Sequence, residues 1–102
     1  MGWQLQFRPE VEQDVFEAAS WYENRQPGLG LEFVEEIIRI WEALAKDPLV
    51  HSRRHLTKNI RWWYPARFPY RVIYQLFESE HTVLILAVVH AARKDRHWKS
   101  RT

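Results

Sequence analysis

The sequence predicts an α+β fold, with one mainly antiparallel sheet and a helical hairpin on one of its faces. Three observations support this prediction. An alternating apolar segment opens the chain, two segments with helical apolar spacing follow, and three extended segments complete it. A chain of 102 residues has room for one core, so residues 1–102 are treated as a single domain.

The first half of the chain predicts a strand followed by two helices. Residues 3–7 alternate apolar and polar side chains, which is the two-residue period of a half-buried strand. Apolar residues recur at helical spacing after Pro9, until the segment Pro27-Gly28-Leu29-Gly30 interrupts the pattern. A second apolar stripe continues to about Lys46. A short connection between two amphipathic helices indicates an antiparallel hairpin.

The second half predicts a meander of three antiparallel strands. Residues 48–59 lack periodicity and are interpreted as a loop, and extended segments then cover residues 60–64, 70–77 and 82–91. The last segment is apolar on both faces, which is typical of a central strand. It would lie between the preceding strand and the N-terminal strand, so the predicted strand order is 1-4-3-2.

The two faces of this sheet differ in what the chain offers to cover them. The helical hairpin covers one face. Residues 94–102 form a basic tail, with a short helix from which Trp98 packs back. No other segment remains for the second face, and we expect that face to be open.

Composition excludes several classes of site. The chain has no cysteine, so disulfides, thiolate nucleophiles and cysteine-ligated metals are excluded. The N-terminus shows no signal peptide, and the longest apolar run, residues 83–89, is far too short to span a membrane. We expect a cytoplasmic protein with no membrane partner.

Charge is distributed unevenly along the chain. Residues 1–50 hold four basic and ten acidic residues, whereas residues 51–102 hold eleven basic and three acidic residues. The basic half could meet a polyanion, or the two halves could attract each other. The carboxylates of the first helix are interpreted as a solvated face; they are Glu10, Glu12, Asp14 and Glu17.

One cluster of residues suggests phosphate chemistry. Strand alternation places Arg71 on the face opposite the core side chains of its strand, and therefore on the open side of the sheet. His90 and Arg93 end the neighbouring strand, so Arg71 and Arg93 are predicted to share one face. Such a surface could bind phosphates and stack bases. The alternative is a solvated strand arginine and a hydrogen-bonded histidine at the rim of the sheet.

No metal or cofactor is predicted. His51 and His55 have a spacing that suits metal ligation, but cationic Arg53 and Arg54 stand between them, and no third ligand is apparent.

Several segments together resemble the RelE/ParE superfamily of toxins from type II toxin–antitoxin modules. The resemblance covers nearly the whole chain and implies a bacterial, cytoplasmic toxin held by a cognate antitoxin, in a hetero-oligomer. The Trp-Tyr-Glu and Pro-Gly-Leu-Gly segments favour the ParE-like, or plasmid-stabilisation, branch. The segments are Trp21-Tyr22-Glu23, Pro27-Gly28-Leu29-Gly30 with Phe33, Phe68-Pro69-Tyr70-Arg71-Val72-Ile73-Tyr74, and His90-Ala91-Ala92-Arg93 followed by Trp98.

The resemblance implies two alternative targets. RelE-like members cut mRNA on the ribosome, and Arg71 and Arg93 fall where such enzymes place two phosphate-handling arginines. His90 or His97 would then handle protons, without a metal. ParE-like members poison DNA gyrase. Here Trp62-Trp63-Tyr64 stands where RelE-like members place lysines, and Trp98 stands about where their C-terminal tyrosine would be.

These departures make a ParE-like inhibitor of DNA gyrase the main hypothesis. A ribosome-dependent mRNA endoribonuclease, with Arg71, His90 and Arg93 as catalytic residues, is the alternative. A regulatory module that binds only its antitoxin is a third reading. Trp21 and Trp41 are the candidate antitoxin contacts. The candidate contacts to target or nucleic acid are Arg61, Tyr64, Arg67, Lys94, Arg96, Trp98, Lys99 and Arg101.

Overall fold

The computed structural model describes residues 2–50 and 58–102, which form one sheet with two long helices on one face. A 3₁₀ turn at Pro48–Val50 begins the segment interpreted as a loop, and residues 51–57 lie outside the described part of the chain. In chain order the elements are β1 (Gln4–Phe7), α1 (Glu10–Arg25), α2 (Leu29–Lys46), β2 (Ile60–Trp63), β3 (Tyr70–Phe77), β4 (Thr82–His90) and α3 (Arg96–Lys99).

The sheet has the order β1-β4-β3-β2, which confirms the predicted order. β4 lies parallel to β1 and antiparallel to β3, and β2 pairs antiparallel with β3. β1 is short and pairs only with residues 82–85. Within the described residues, the second half of β4 therefore has no strand on the β1 side.

A β-bulge changes which side chains of β4 face the helices. Ile73 pairs with Ala87 and Tyr74 pairs with Ile85, which leaves Leu86 as an extra residue on β4. Leu86 and Ala87 consequently both pack on the face away from the helices. Because one extra residue inverts the alternation, the side chains beyond the bulge lie opposite to where strict alternation would place them.

The helix-facing core joins α1 and α2 to the sheet. Phe33, Ile37 and Leu44 of α2 are fully buried in it. Tyr74 of β3 is also fully buried, and its hydroxyl donates to the carbonyl of Pro48 at 3.1 Å. Burial raises the pKa of Tyr74 to about 12, so the hydroxyl keeps its proton and remains a donor. This hydrogen bond fixes the start of the loop against the sheet.

Glu23 closes the turn between α1 and α2. Its carboxylate accepts the N–H of Gly28, at 3.0 and 3.1 Å, and the N–H of Gly30, at 3.1 Å. The first N–H groups of a helix lack internal acceptors, and the helix dipole favours a negative charge there. Gly28 has a φ of +91°, which glycine adopts without strain. The Trp-Tyr-Glu and Pro-Gly-Leu-Gly segments are thus two parts of one turn.

The second face of the sheet is covered, so the prediction of an open face is wrong. The C-terminal segment, residues 94–102, crosses it, and Trp98 is only 2% exposed there. Trp98 packs with Ile73, Leu86 and Val89, and its ring meets that of Trp62 at a centroid distance of 6.2 Å. The prediction that Trp98 packs back is confirmed, and this large side chain is buried in the apolar cluster of that face.

The close approach of α1 and α2 at Gly30 predicts a specific cost of substitution. A Cβ added at Gly30 would stand 2.6 Å from the carbonyl oxygen of Ala19, so Gly30→Ala must separate the two helices. We expect Gly30→Ala to lower the free energy of unfolding by about 1–3 kcal/mol, measured by urea denaturation. Asn24→Ala, an exposed change on α1, is the control and should stay within about 0.5 kcal/mol. Equal stability of the two variants would contradict the packing argument.

Candidate functional site

Arg71 is buried beneath the C-terminal segment. Its side chain is on the same face as Ile73, and the residue is 5% exposed. Nη1 donates to Asp95 Oδ1 and Nη2 donates to the carbonyl of Arg93, both at 2.9 Å. The guanidinium also lies over the Trp62 ring, 5.1 Å from its centroid. Arg71 therefore holds the C-terminal segment against the sheet.

His90 lies on the opposite face from Arg71. Its backbone partner in the sheet is Tyr70, which packs against the helix-facing core, and the two rings meet edge-on at 5.3 Å. The Nδ1 atom accepts the N–H of Ala92 at 3.0 Å, which leaves the proton of the neutral ring on Nε2. The bulge at Leu86 is the physical reason for this placement, because it inverts the alternation before His90 is reached.

The edge cleft is a cavity of about 640 Å³ between α1 and the free edge of β4. It brings His90 and Arg93 together with two tyrosines. Burial raises the pKa of Tyr22 and, partly offset by the charge of Arg93, that of Tyr70. Its lining residues are Asp14, Glu17, Ala18, Trp21, Tyr22, Pro69, Tyr70, Val88, Val89, His90, Arg93 and Arg101.

The structure thus divides the three candidate catalytic residues. His90 and Arg93 line the edge cleft, whereas the Arg71 side chain points to the other face and donates a hydrogen bond to the backbone carbonyl of Arg93. The prediction that Arg71 and Arg93 share one open face is wrong, because the C-terminal segment covers Arg71 and Arg93 belongs to the turn after β4. Their catalytic roles stay predictions.

Asp14 and Arg101 form an ion pair at one end of the edge cleft. Arg101 Nη1 and Nη2 donate to the two carboxylate oxygens at 2.7 and 3.2 Å, and Nη1 also donates to the carbonyl of Leu86 at 3.0 Å. Asp14 accepts the N–H of Val88 at 3.0 Å. These two side chains provide hydrogen-bond partners for backbone groups of β4 that lie beyond the end of β1. The position of Asp14 on the first helix predicted that it belongs to a solvated face. That prediction is wrong for Asp14, because its carboxylate binds Arg101 and the backbone of β4.

The remaining basic and aromatic candidates fall into two groups. Arg61 is buried and donates to the carbonyl of Leu49 at 3.1 Å, and Trp98 and Arg101 hold the C-terminal segment in place. Arg67 is exposed and ion-paired with Glu32 at 2.6 Å. The other exposed candidates are Tyr64, Lys94, Arg96 and Lys99. The side chain of His97, like His51 and His55, lies outside the described parts of the chain.

A second depression, the apolar groove, has a volume of about 630 Å³. Trp41 lines it and meets Phe7 edge-on at 4.9 Å, whereas Trp21 lies in the edge cleft. Sequence reasoning missed Phe16, which is 64% exposed, although its position off the apolar stripe of α1 was the available signal. The groove is lined by Phe7, Arg8, Pro9, Val11, Glu12, Val15, Phe16, Ala19, Val34 and Trp41.

Residues 2–50 and 58–102 contain neither a candidate metal site nor a candidate membrane span. In these ranges no three acidic or histidine side chains are placed to hold a metal ion. None of the helices found there has the length and apolar character needed to cross a membrane.

Comparison with known proteins gives the family. Residues 5–95 match the family model described as "ParE toxin of type II toxin-antitoxin system, parDE". The chain belongs to the ParE toxin family. Among curated proteins, none matches this ParE-family chain.

Two solved structures share its fold. One, from the chromosomal ParDE toxin–antitoxin system of P. aeruginosa, has a TM-score of 0.73 at 16% identity and covers 86% of this chain and 95% of its own. The other, the isolated RelE toxin of E. coli, has a TM-score of 0.52 at 14% identity and covers 96% of this chain and 94% of its own. The resemblance to the RelE/ParE superfamily predicted from the sequence is confirmed.

The Arg71–Asp95 contact predicts a pH dependence of stability. The hydrogen bond from Arg71 lowers the pKa of Asp95 below its ordinary value of 3.8. A carboxyl group with a depressed pKa in the folded state stabilises the fold above its unfolded pKa, and this contribution is lost as pH falls through the folded pKa. We therefore expect the unfolding free energy of the wild type to be larger than that of Asp95→Asn at neutral pH. The difference between the two values, the margin, should shrink below about pH 4.

Urea denaturation between about pH 7 and pH 2.5 measures this margin. When Asp95→Asn is instead made in an Arg71→Gln background, the pH dependence of its effect on stability should be greatly reduced, because the donor is absent. A margin that stays constant across the range would show that the ion pair does not stabilise the fold.

Proposed function

We propose that this ParE-family chain is the toxin of a bacterial type II toxin–antitoxin module and that it inhibits growth by binding DNA gyrase. Membership of the ParE family carries the proposal. The placement of Arg71 across the sheet from His90 supports it. Phosphodiester cleavage needs cations and proton-transfer groups around one scissile bond, whereas inhibition by binding a large protein does not.

A RelE-like, metal-independent mRNA endoribonuclease is the second candidate. One observation favours it: the edge cleft holds His90 and Arg93 beside the hydroxyl-bearing Tyr70. His90 could act as a general acid–base, and Arg93 could stabilise phosphorane charge. In this reading Arg71 positions the turn that carries Arg93, through its hydrogen bond to the Arg93 carbonyl.

A cognate antitoxin is the proposed partner, in a cytoplasmic hetero-oligomer. The apolar groove is its proposed docking surface, because exposed aromatic side chains of α1 and β1 line it beside Trp41. An amphipathic segment of the antitoxin could place an apolar stripe in this groove. Trp21, in the edge cleft, would then be contacted by a different part of that partner.

The two targets are distinguished by one set of variants. Replacing His90 and His97 together by Ala should cost a ribonuclease about 10²–10⁴-fold in cleavage, the usual contribution of a general acid–base. A gyrase inhibitor transfers no proton, so the same change should have little effect on its inhibition of supercoiling. We expect the second pattern, measured by a supercoiling assay beside an in-vitro translation assay on the same protein.

Exposed basic residues of the C-terminal segment should contribute more to gyrase inhibition than His90 and His97 do. Lys94, Arg96 and Lys99 changed to Gln should weaken inhibition and reduce its salt dependence. Arg101 is left intact because it is structural. Arg39→Gln with Lys46→Gln, two exposed changes on α2, is the control. Codon-specific mRNA cuts that vanish in the double His variant would overturn the gyrase proposal. If the protein is inactive in both assays, the result would favour a module that binds only its antitoxin.

Phe16 provides a test of antitoxin docking. Phe16→Glu puts a charge in the apolar groove and should weaken antitoxin binding about 30-fold or more in calorimetry, as for an interface hot spot. Leu31→Glu is a matched control, since both side chains are 64% exposed and Leu31 is not part of the groove. Equal affinities of the two variants would move the docking surface elsewhere.

A further inference from the structure

Three cations of the C-terminal segment are exposed on its surface. They are Lys94, Arg96 and Lys99, here called the basic strip, and within residues 2–50 and 58–102 none of them forms an ion pair. Four arginines elsewhere in these ranges do form ion pairs, namely Arg8, Arg67, Arg71 and Arg101. We propose that the basic strip binds the phosphate backbone of duplex DNA.

The fold fixes the backbone that carries the basic strip. The Asp95 carbonyl accepts the N–H of Trp98 at 3.1 Å and that of Lys99 at 2.9 Å, so this part of the segment forms one helical turn. Trp98, which is only 2% exposed, attaches the turn to the apolar cluster of the second face. Because the backbone is already ordered, binding has to order only the three basic side chains.

The acidic residue of the segment does not cancel the charge of the basic strip. Asp95 Oδ1 accepts hydrogen bonds from Arg71 Nη1 at 2.9 Å and from Trp98 Nε1 at 3.3 Å, so the charge of Asp95 is compensated by Arg71. Arg101, the other basic residue of the segment, is paired with Asp14. The three positive charges of the basic strip therefore remain available to a polyanion.

The helical side of the molecule carries the opposite charge. α1 and α2 together hold nine acidic and three basic residues, and they pack on the face of the sheet opposite Trp98. A polyanion is therefore repelled by the helices and attracted to the basic strip. This separation of charge orients the molecule on a polyanion, although the net charge of the chain is only +2.

Burial of the aromatic rings favours a duplex over a single strand. Proteins that bind single-stranded nucleic acid stack its bases on exposed aromatic rings. The Trp98 ring is buried instead, and the partly buried Trp62 ring lies against both Trp98 and Arg71. Contact by charge alone suits duplex DNA, which carries about one negative charge per 1.7 Å of its axis. The choice of DNA over duplex RNA rests on the proposed function, because gyrase acts on duplex DNA.

Salt dependence counts the phosphates that the basic strip contacts. The probe is a fluorescein-labelled DNA duplex of mixed sequence and about 20 base pairs, and fluorescence anisotropy measures its binding to the full chain without gyrase or antitoxin. Three contacts predict that the logarithm of the binding constant falls with the logarithm of the salt concentration with a slope of about −2.7. Lys94→Gln, Arg96→Gln and Lys99→Gln should each reduce the size of this slope by about 0.9.

Arg39→Gln and Lys46→Gln are the matched controls. Both residues are exposed cations that form no ion pair in the described ranges, but they lie on α2, on the acidic side of the molecule. Each control removes the same charge as a change in the basic strip, and we expect it to leave the slope unchanged. Thermal unfolding confirms that all five variants are folded.

A measurement on the wild-type chain locates the contact without any variant. Titration with the same duplex should shift the amide NMR signals of residues 94–99 and leave those of α1 and α2 in place. Shifts centred on the edge cleft would instead show that the duplex binds elsewhere.

Three further results would overturn the proposal. They are a slope that the changes in the basic strip leave unaltered, tighter binding of single-stranded or duplex RNA of the same length, and equally tight binding of poly-glutamate, which would indicate an acidic protein surface as the ligand. Supercoiling inhibition is measured separately and with gyrase present. DNA binding can therefore fail while gyrase inhibition is observed, and the reverse.

Discussion

The extra residue in β4 determines which side chains reach which face of the sheet. Before the bulge, β4 alternates as an ordinary central strand; after Leu86 the alternation is inverted, and His90 reaches the helix side. β3 has no such insertion, so Arg71 keeps its place on the other face. Arg71 and His90 lie close together on neighbouring strands, yet their side chains are on opposite faces of the sheet.

The covering of the second face depends on the same arrangement. The bulge puts Leu86 and Ala87 side by side on that face, which widens the apolar surface that meets Trp98. Arg71 lies within this surface and keeps a charge there because Asp95 and the Arg93 carbonyl accept its hydrogen bonds. The chain uses a buried arginine to attach its last residues, in a position where sequence reasoning expected phosphate contact.

Periodicity predicted the elements well and the site less well. Alternation in β1, two helical stripes, and a last strand apolar on both faces were enough for the helices, the strands and their order. The bulge could not be predicted, because residues 83–89 are all apolar and no polar side chain marks the face. The partner of Asp14 lies 87 positions away, and nothing local separates Asp14 from the exposed carboxylates beside it.

The short β1 also affects the order in which the molecule folds. β3 and β4 are joined by a turn of a few residues, so their pairing closes a small loop and can form early. The pairing of β1 with β4 brings together residues 78 positions apart, such as Gln4 and Thr82, and the loop-closure entropy makes it slow. We expect amide protection to appear in the β3–β4 hairpin before β1. During that interval the whole edge of the central strand is exposed, and collisions between chains compete with the docking of β1.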